Sequence, residues 1–413
     1  MKSSKIALLA ALGGVLLAGC AASARTSLRP PGEIPYPPKD EAKPDEIYHL
    51  PTGLRVSFEG MMDMVSGARL VCVGETHDNM NAHRVELMVI RELARRSPGK
   101  IAVGMEMFRE PQQDALDRWT KGELSELEFL KASKWHENWG SDFRYYKDIL
   151  EFARDNRIDV IALNPPKELE REVSETGLDN VPADLAARLP VTAPPDPYQR
   201  AMMKAVYGAH LPSEGMFDAF FRVQVLWEES MASRVVDYLR SPRGEGKKIV
   251  TLTGGWHVRY GFGLPKKALR RMPMDYAIIL PDEIDIPEDK ADQQMDVDLP
   301  QVPLLPGDFA WMVRYEDLEK DKVRMGVRIA AKEGAVVVEG VEDGSPAAKA
   351  GIVAGDVIVS FDGQPVRDLA DVFYLVGAKR EGDKAAVVVR QDGADRTRDL
   401  TFFKMPKKKV HGD

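Results

Sequence analysis

The sequence predicts an α/β domain, with a mostly parallel sheet flanked by helices, followed by a small β-rich domain. Three observations predict it. Between residues 47 and 280, short β-branched apolar runs alternate with amphipathic stretches at helical spacing. Five prolines among many acidic residues interrupt the pattern from 281 to 309. From 310 to 404, short strand-like runs recur between Gly-Ser-Pro and Asp-Gly turns. Strand-helix alternation builds parallel sheets covered on both faces. A chain of 413 residues, 44% of them hydrophobic, is long enough for two cores.

The elements follow in order. Lys2 and Lys5 precede an apolar run, 6–17, of signal-peptide length. The run ends in Leu17-Ala18-Gly19-Cys20, which resembles a bacterial lipoprotein cleavage box. Residues 1–19 are therefore expected to be removed and Cys20 to carry the lipid that anchors the protein to a membrane. Ala21 and Ala22 stand where an Asp would mark inner-membrane retention, so the expected address is the outer membrane of the cell envelope. Residues 20–46 read as a tether rich in Ser, Pro and charge. The other cysteine, Cys72, has no partner within the mature chain and lies in an apolar strand, so no internal disulfide is expected. A net charge of −8, with no long basic block before the tail at 405–413, argues against nucleic acid as a partner.

Within 47–280, the run 69–73 leads into Gly74-Glu75-Thr76-His77, and 249–252 leads into Gly254-Gly255-Trp256-His257. Each reads as a buried parallel strand followed by Gly-x-x-His. Two more runs, 101–105 and 159–163, end at Glu106 and Asn164. Polar side chains just past parallel strands gather in the crevice at the carboxyl edge of the sheet. Glu75, His77, Glu106, Asn164 and His257 are thus expected to converge, and carboxylates with imidazoles bind divalent metals or move protons. Amphipathic helices are expected after Asp78, taken as an N-cap, over 143–156 and over 213–239. The strand at 275–280 closes the unit. No Gly-x-Ser-x-Gly elbow follows a strand, which argues against a serine hydrolase.

In the second domain, the stretch from Gly344-Ser345-Pro346 to Gly355-Asp356-Val357-Ile358 resembles the central signature of bacterial-type PDZ domains. Ser345 can cap a short helix, Pro346 suits its first turn, and Gly351 suits the left-handed end. The resemblance implies that an extended peptide or protein C-terminus adds beside a strand. Met325, Gly326 and Val327 match the carboxylate-binding loop, and Val372 and Leu375 are the expected lining of the pocket helix. A domain docked on its neighbour, with the groove occupied, is the other reading of the same residues.

Five motifs in order make the first domain resemble the haem-uptake lipoproteins of the ChaN type, within a superfamily shared with Tiki proteases and erythromycin esterases. They are Gly74-Glu75-Thr76-His77-Asp78 with His83, Gly104-Met105-Glu106-Met107-Phe108, 161–164, 224–232 and Gly254 to Pro265. Trp256 departs from the small residue common in relatives. The resemblance implies haem held by a tyrosine, as a pair sandwiched between the two subunits of a homodimer. Tyr260 is the expected axial donor, with His257 and His83 beside the cofactor and Met202, Met203, Tyr207 and His210 as a wall. An apolar slot and an axial Tyr or His are what haem requires. The hydrolase relatives imply another chemistry. A divalent metal would sit on Glu75, His77, Glu106 and His257, with Glu75 as general base and the others as ligands or orienting groups. A scaffold with an inactive site is the third reading.

Overall fold

A computed structural model describes residues 42–208, 211, 213–284, 286–287, 298–318 and 322–405. The signal segment, Cys20, His210 and the basic tail from 406 onward lie outside the described residues.

The first domain is an eight-stranded sheet. Its strands are β1 (Ile47–His49), β2 (Leu54–Val56), β3 (Leu70–Glu75), β4 (Ile101–Arg109), β5 (Asp159–Asn164), β6 (Lys248–Gly254), β7 (Tyr276–Ile284) and β8 (Phe309–Arg314). The order is β2-β1-β8-β7-β3-β6-β4-β5. Every pair from β8 to β5 is parallel, and β1 and β2 close one edge antiparallel. Side chains alternate along β3: Val71 and Val73 enter one apolar core, Leu70 and Cys72 the other. Cys72 is the expected buried, free thiol.

Helices cover both faces. Met80–Arg96 and Lys147–Asp155 pack with the Val71 core; Glu214–Arg240 and Leu264–Arg271 pack with the Leu70 core. Asn79, not Asp78, caps the first of these, because its side chain accepts from the Asn81 amide. Asp78 instead accepts from the Tyr315 hydroxyl at 2.5 Å. The stretch expected as one helix from 143 begins with a 3₁₀ turn, Phe143–Tyr145.

The expected boundaries at 281 and 310 do not coincide with the sheet. β7 runs to Ile284, and β8 pairs parallel with it and antiparallel with β1. Five of the six β8 residues are buried, the pattern of a central parallel strand with both faces covered. Residues 310–314 therefore belong to the first sheet.

The second domain is a separate antiparallel sheet of β9 (Val327–Lys332), β10 (Ala335–Val341), β11 (Val357–Phe361), β12 (Gln364–Pro365), β13 (Lys384–Gln391) and β14 (Ala394–Thr401), ordered β14-β13-β11-β10-β9 with β12 beside β11. Its local chemistry is as expected. The Ser345 hydroxyl accepts from the Ala348 amide, Pro346 opens the short helix, and Gly351 turns at φ 78°. Asp362 and Gly363, both at positive φ, make the hairpin turn.

Candidate functional site

Parallel pairing puts Glu75 of β3 level with Gly254 of β6, and β4 delivers Glu106 on the other flank of β6. The three strand ends form one polar crevice at the carboxyl edge. Glycine at 254 leaves room for the His77 ring: a Cβ there would crowd His77 Nε2 at 3.2 Å and stand at an ordinary 3.7 Å from Glu106 Oε2. The Gly254 amide donates to Glu106 Oε2 at 2.7 Å. His257 Nε2 stands 3.4 Å from Glu106 Oε1. His77, Glu106 and His257 therefore meet over Gly254, as the strand ends predict.

Behind this crevice each histidine has its own carboxylate. His77 Nδ1 is 2.7 Å from Glu75 Oε1, which also accepts from the Tyr146 hydroxyl at 3.0 Å. The His77 side chain is 39% exposed and takes the edge of the Trp139 ring at 4.9 Å. His257 is buried. Its Nδ1 lies 2.9 Å from Gln224 Nε2 and 3.5 Å from Glu228 Oε1. Glu228 in turn holds the buried Lys267 ammonium at 2.6 Å and accepts from Gln199 at 2.7 Å. Imidazoles that present one nitrogen while a carboxylate holds the other are oriented as metal ligands usually are.

His83 is placed behind Glu75 rather than at a cofactor surface. It is buried, with Nδ1 2.8 Å from Glu75 Oε2 and 2.9 Å from Glu86 Oε2, and Nε2 3.2 Å from the His77 carbonyl. Both ring nitrogens are thus engaged inside the fold. Among the described residues, Glu75, His83 and Glu86 are the set whose ligand atoms all lie within 4.8 Å, so the compact carboxylate cluster is not the set read from the strand ends.

Burial alone would raise the Glu75 pKa, but the His83 and His77 charges outweigh it and hold the carboxyl well below its usual range. Burial, with Glu75 beside it, pushes the Glu86 carboxyl well above its usual range. Burial opposes charging His83 and His257, yet Glu75 raises the first to about 10 and Glu106 the second to about 10. Glu75 likewise outweighs burial at His77 and raises it. At Glu228 burial is overcome by Lys267 and His257, which bring it down to about 2.

Tyr260 stands on a 3₁₀ turn, three residues after His257, its amide bonded to the Pro306 carbonyl at 2.8 Å. It adopts φ 59°, ψ 8°, a left-handed conformation uncommon for a tyrosine. Its ring lies 6.0 Å from Phe262. The hydroxyl reaches solvent and has no hydrogen-bond partner among the described residues. Met203, Phe217 and Phe221 form an apolar cluster with the partly buried Tyr207, Phe220 and Trp256. Of the expected wall, Met203 and Tyr207 join this cluster, Met202 is buried but not part of it, His210 lies outside the described residues, and Trp256 is an added member. Burial, with Glu106 as the smaller influence, pushes the Tyr207 hydroxyl up to about 12.

The buttresses Glu86, Tyr146, Gln199, Glu228 and Lys267 were not among the expected site residues. Gln224 and Glu228 carry a signal, being polar residues four apart on an otherwise apolar helix face.

In the second domain Met325, Gly326, Val327 and Val372 line a groove of about 940 Å³. Leu375 does not: it is buried in that domain's core, and Val376, four residues after Val372, lines the groove instead. Helical spacing puts 372 and 376 on one face.

Comparison with known proteins agrees with this division. Residues 61–267 match the family described as haem-binding uptake, Tiki superfamily, ChaN, and residues 323–401 match the PDZ domain. A probable periplasmic serine endoprotease, DegP-like, of Pseudomonas putida (strain W619) is 44% identical over 73 residues, 18% of this chain and 15% of that protein. Its counterpart in Rhizobium meliloti (strain 1021) is 35% identical over 97 residues, 23% of this chain and 19% of that protein. The chain thus spans less than a fifth of the length of these relatives. The solved structure of ChaN of Campylobacter jejuni, with cofacial haem binding, aligns at 16% identity and a TM-score of 0.48, covering 64% of this chain and 95% of that one.

Proposed function

The chain belongs to the haem-binding uptake family of the Tiki superfamily, the ChaN family, and carries a PDZ domain behind it; on that premise we propose that it is an envelope lipoprotein that captures haem at the carboxyl edge of its sheet. Tyr260 is the observation that supports this reading most. A tyrosine held in a left-handed conformation three residues after His257, with a hydroxyl bonded to no described residue, is an oxygen donor kept available at the expense of local strain. The residues fit the group. Tyr260 would supply the axial oxygen, His77 is the partly exposed imidazole, and Trp256, Tyr207 and Phe220 would cover the macrocycle. When bound, haem supplies an iron whose ligation and potential the axial donor sets. The protein's part is to hold the donor, exclude water with the aromatic wall, and keep the Glu75–His77 pair charged.

The anchor belongs to the same proposal. Cys20 would carry the lipid and set the outer-membrane address. Among the described residues no helix is long and apolar enough to cross a membrane. Pairing of two copies over two haems is the assembly this reading expects, measured by sedimentation with and without haem.

The deciding experiment is haem titration of the soluble chain followed by absorbance. A Soret shift is expected that Tyr260→Phe weakens and Glu75→Gln largely spares. No spectral change with wild type overturns the haem reading. The convergence of His77 and Glu106 over Gly254 supports a second reading, a metal-dependent hydrolase with Glu75 as base. It expects a stoichiometric divalent metal and turnover that Glu75→Gln abolishes.

A further inference from the structure

The PDZ groove is not built by the PDZ domain alone. One side is β9 and the helix Leu369–Gly377; the other is the first domain's segment 136–147. The two are clamped together. Lys131 Nζ contacts Asp371 Oδ1 at 2.5 Å and Asp368 Oδ2 at 2.9 Å, and the His136 ring lies 5.2 Å from Phe373. The connecting chain is fastened to the same region: the Leu318 amide donates to the Tyr145 hydroxyl at 2.9 Å, and the Glu316 amide to Asn79 at 3.2 Å.

The segment has two faces. His136, Asp142, Arg144 and Lys147 line the groove. Between them, Trp139 sets its ring edge against His77, and the Tyr146 hydroxyl donates to Glu75. A shift of this short segment toward a groove ligand must therefore move the partners of the Glu75–His77 pair.

We propose that the groove is a two-domain receptor for a peptide carboxy terminus, with His136 as a reading residue supplied by the first domain, and that its occupancy is transmitted through 135–147 to Glu75 and His77. The proposal rests on the PDZ domain being a peptide binder. The occupant has a stated chemistry. β9 ends its sheet, leaving an edge for an added strand. Gly326 turns the carboxylate loop at φ 75°, where a Cβ would strike the Ser345 side chain at 2.2 Å. Val327, Ile329, Val372 and Val376 give an apolar floor for the last side chain. Six basic and three acidic side chains line the groove, and Asp362 and Glu339 beside it pair with Lys379 and Arg328, which leaves a small basic excess that favours an acidic residue upstream of that terminus. His136 lines the groove and its Nε2 is enclosed with no hydrogen-bond partner, so a turn of the ring on peptide binding would let a peptide group supply one.

The test uses the full soluble chain and a fluorescein-labelled decapeptide ending in Glu-Asp-Glu-Val, with its carboxamide as control. Anisotropy should show binding of the free acid at least about tenfold tighter than the carboxamide, as expected for loss of a charged hydrogen-bond acceptor. His136→Ala should weaken it about three- to tenfold, the range for one neutral hydrogen bond plus a ring contact. His136→Phe, which keeps the ring contact with Phe373, should weaken it less, and thermal melting checks that both fold. Carbethoxylation of His77 by diethylpyrocarbonate, followed by mass spectrometry with His49 as internal reference, reads the coupling. Saturating peptide should change the His77 rate at least about twofold, the low end of coupling between sites, and Trp139→Ala should remove the effect. A peptide that fails to bind overturns both the peptide reading and the coupling. A peptide that binds while the His77 rate stays constant overturns the coupling alone.

Discussion

The two Gly-x-x-His ends of this sheet look alike in sequence and do different work in the fold. At β3 the histidine leans outward, half open to solvent, with Glu75 on one nitrogen and Trp139 across its edge. At β6 the histidine is buried and tied through Gln224 and Glu228 to Lys267. The motif fixes where a side chain leaves the sheet. The helix packed over the strand end fixes what that side chain can reach. Over β6 lies Glu214–Arg240, which buries its own polar residues; over β3 lies the short, looped segment 135–147. His77 is thus placed to meet a ligand, and His257 to hold the crevice in shape.

The largest test of that contrast removes the buttress. Glu228→Leu leaves the Lys267 ammonium buried without its carboxylate and removes one of the two beside His257, and breaking a buried ion pair from one side costs about 3–5 kcal/mol. Urea unfolding should show a loss in that range, and Glu228→Gln a smaller one. A loss below about 1 kcal/mol would mean that water already reaches Lys267.

The histidines themselves give the next effect. His257→Ala should cost about 1–3 kcal/mol, since Gln224 and Glu106 lose a buried partner. His77→Ala should cost less than about 1 kcal/mol, because that ring is part-exposed, while haem affinity falls. Equal stability losses at the two positions would break the comparison.

How much of this was legible in the sequence depends on distance along the chain. The strand ends carrying Glu75, His77, Glu106 and His257 were visible because a β-branched run followed by glycine and a polar residue is a local pattern. The buttresses were not, because Glu228, Tyr146 and Lys267 matter through pairing with groups tens of residues away. The same reason explains β8. Phe-Ala-Trp-Met-Val suits either sheet by propensity, and only pairing with β7 and β1 assigns it to the first. Leu375 failed for a nearer cause: 375 and 376 both share a helix side with Val372, and only packing against the domain core turns Leu375 inward and leaves Val376 to the groove.

A titration sharpens the contrast further. Burial disfavours the charged His257, but Glu106 and Glu228 raise it to about 10. A histidine raised in the folded state stabilises fully below its unfolded value of about 6.5 and loses that contribution as pH climbs through the folded value. Denaturant midpoints should therefore decline from about pH 6.5 toward 10 in wild type, and His257→Gln should remove part of this decline and leave the part due to His83. His77→Gln should flatten it less, its ring being open to water. If the His77 variant flattens the curve as much as the His257 variant, the two sites are electrostatically equivalent and their difference is one of exposure only.

Gly254→Ala should have the smallest effect on stability and the most selective one on the site. Gly254 has φ −51° and ψ 138°, a backbone that alanine adopts without strain, so folding stability should change by less than about 0.5 kcal/mol. Yet the new Cβ would stand 3.2 Å from His77 Nε2 and 3.3 Å from Cε1, closer than a methyl group and an imidazole sit at rest. The nearest His257-side contact of that Cβ is Glu106 Oε2 at 3.7 Å, an ordinary separation. The His77 ring must therefore swing outward by a few tenths of an ångström while His257 keeps its place. The carbethoxylation rate of His77 should rise and haem affinity should fall several-fold, with the pH dependence of stability unchanged. If one methyl group at 254 alters the His257-dependent decline instead, the crevice is a single rigid unit, and the division between a ligand-facing and a buttressing histidine fails.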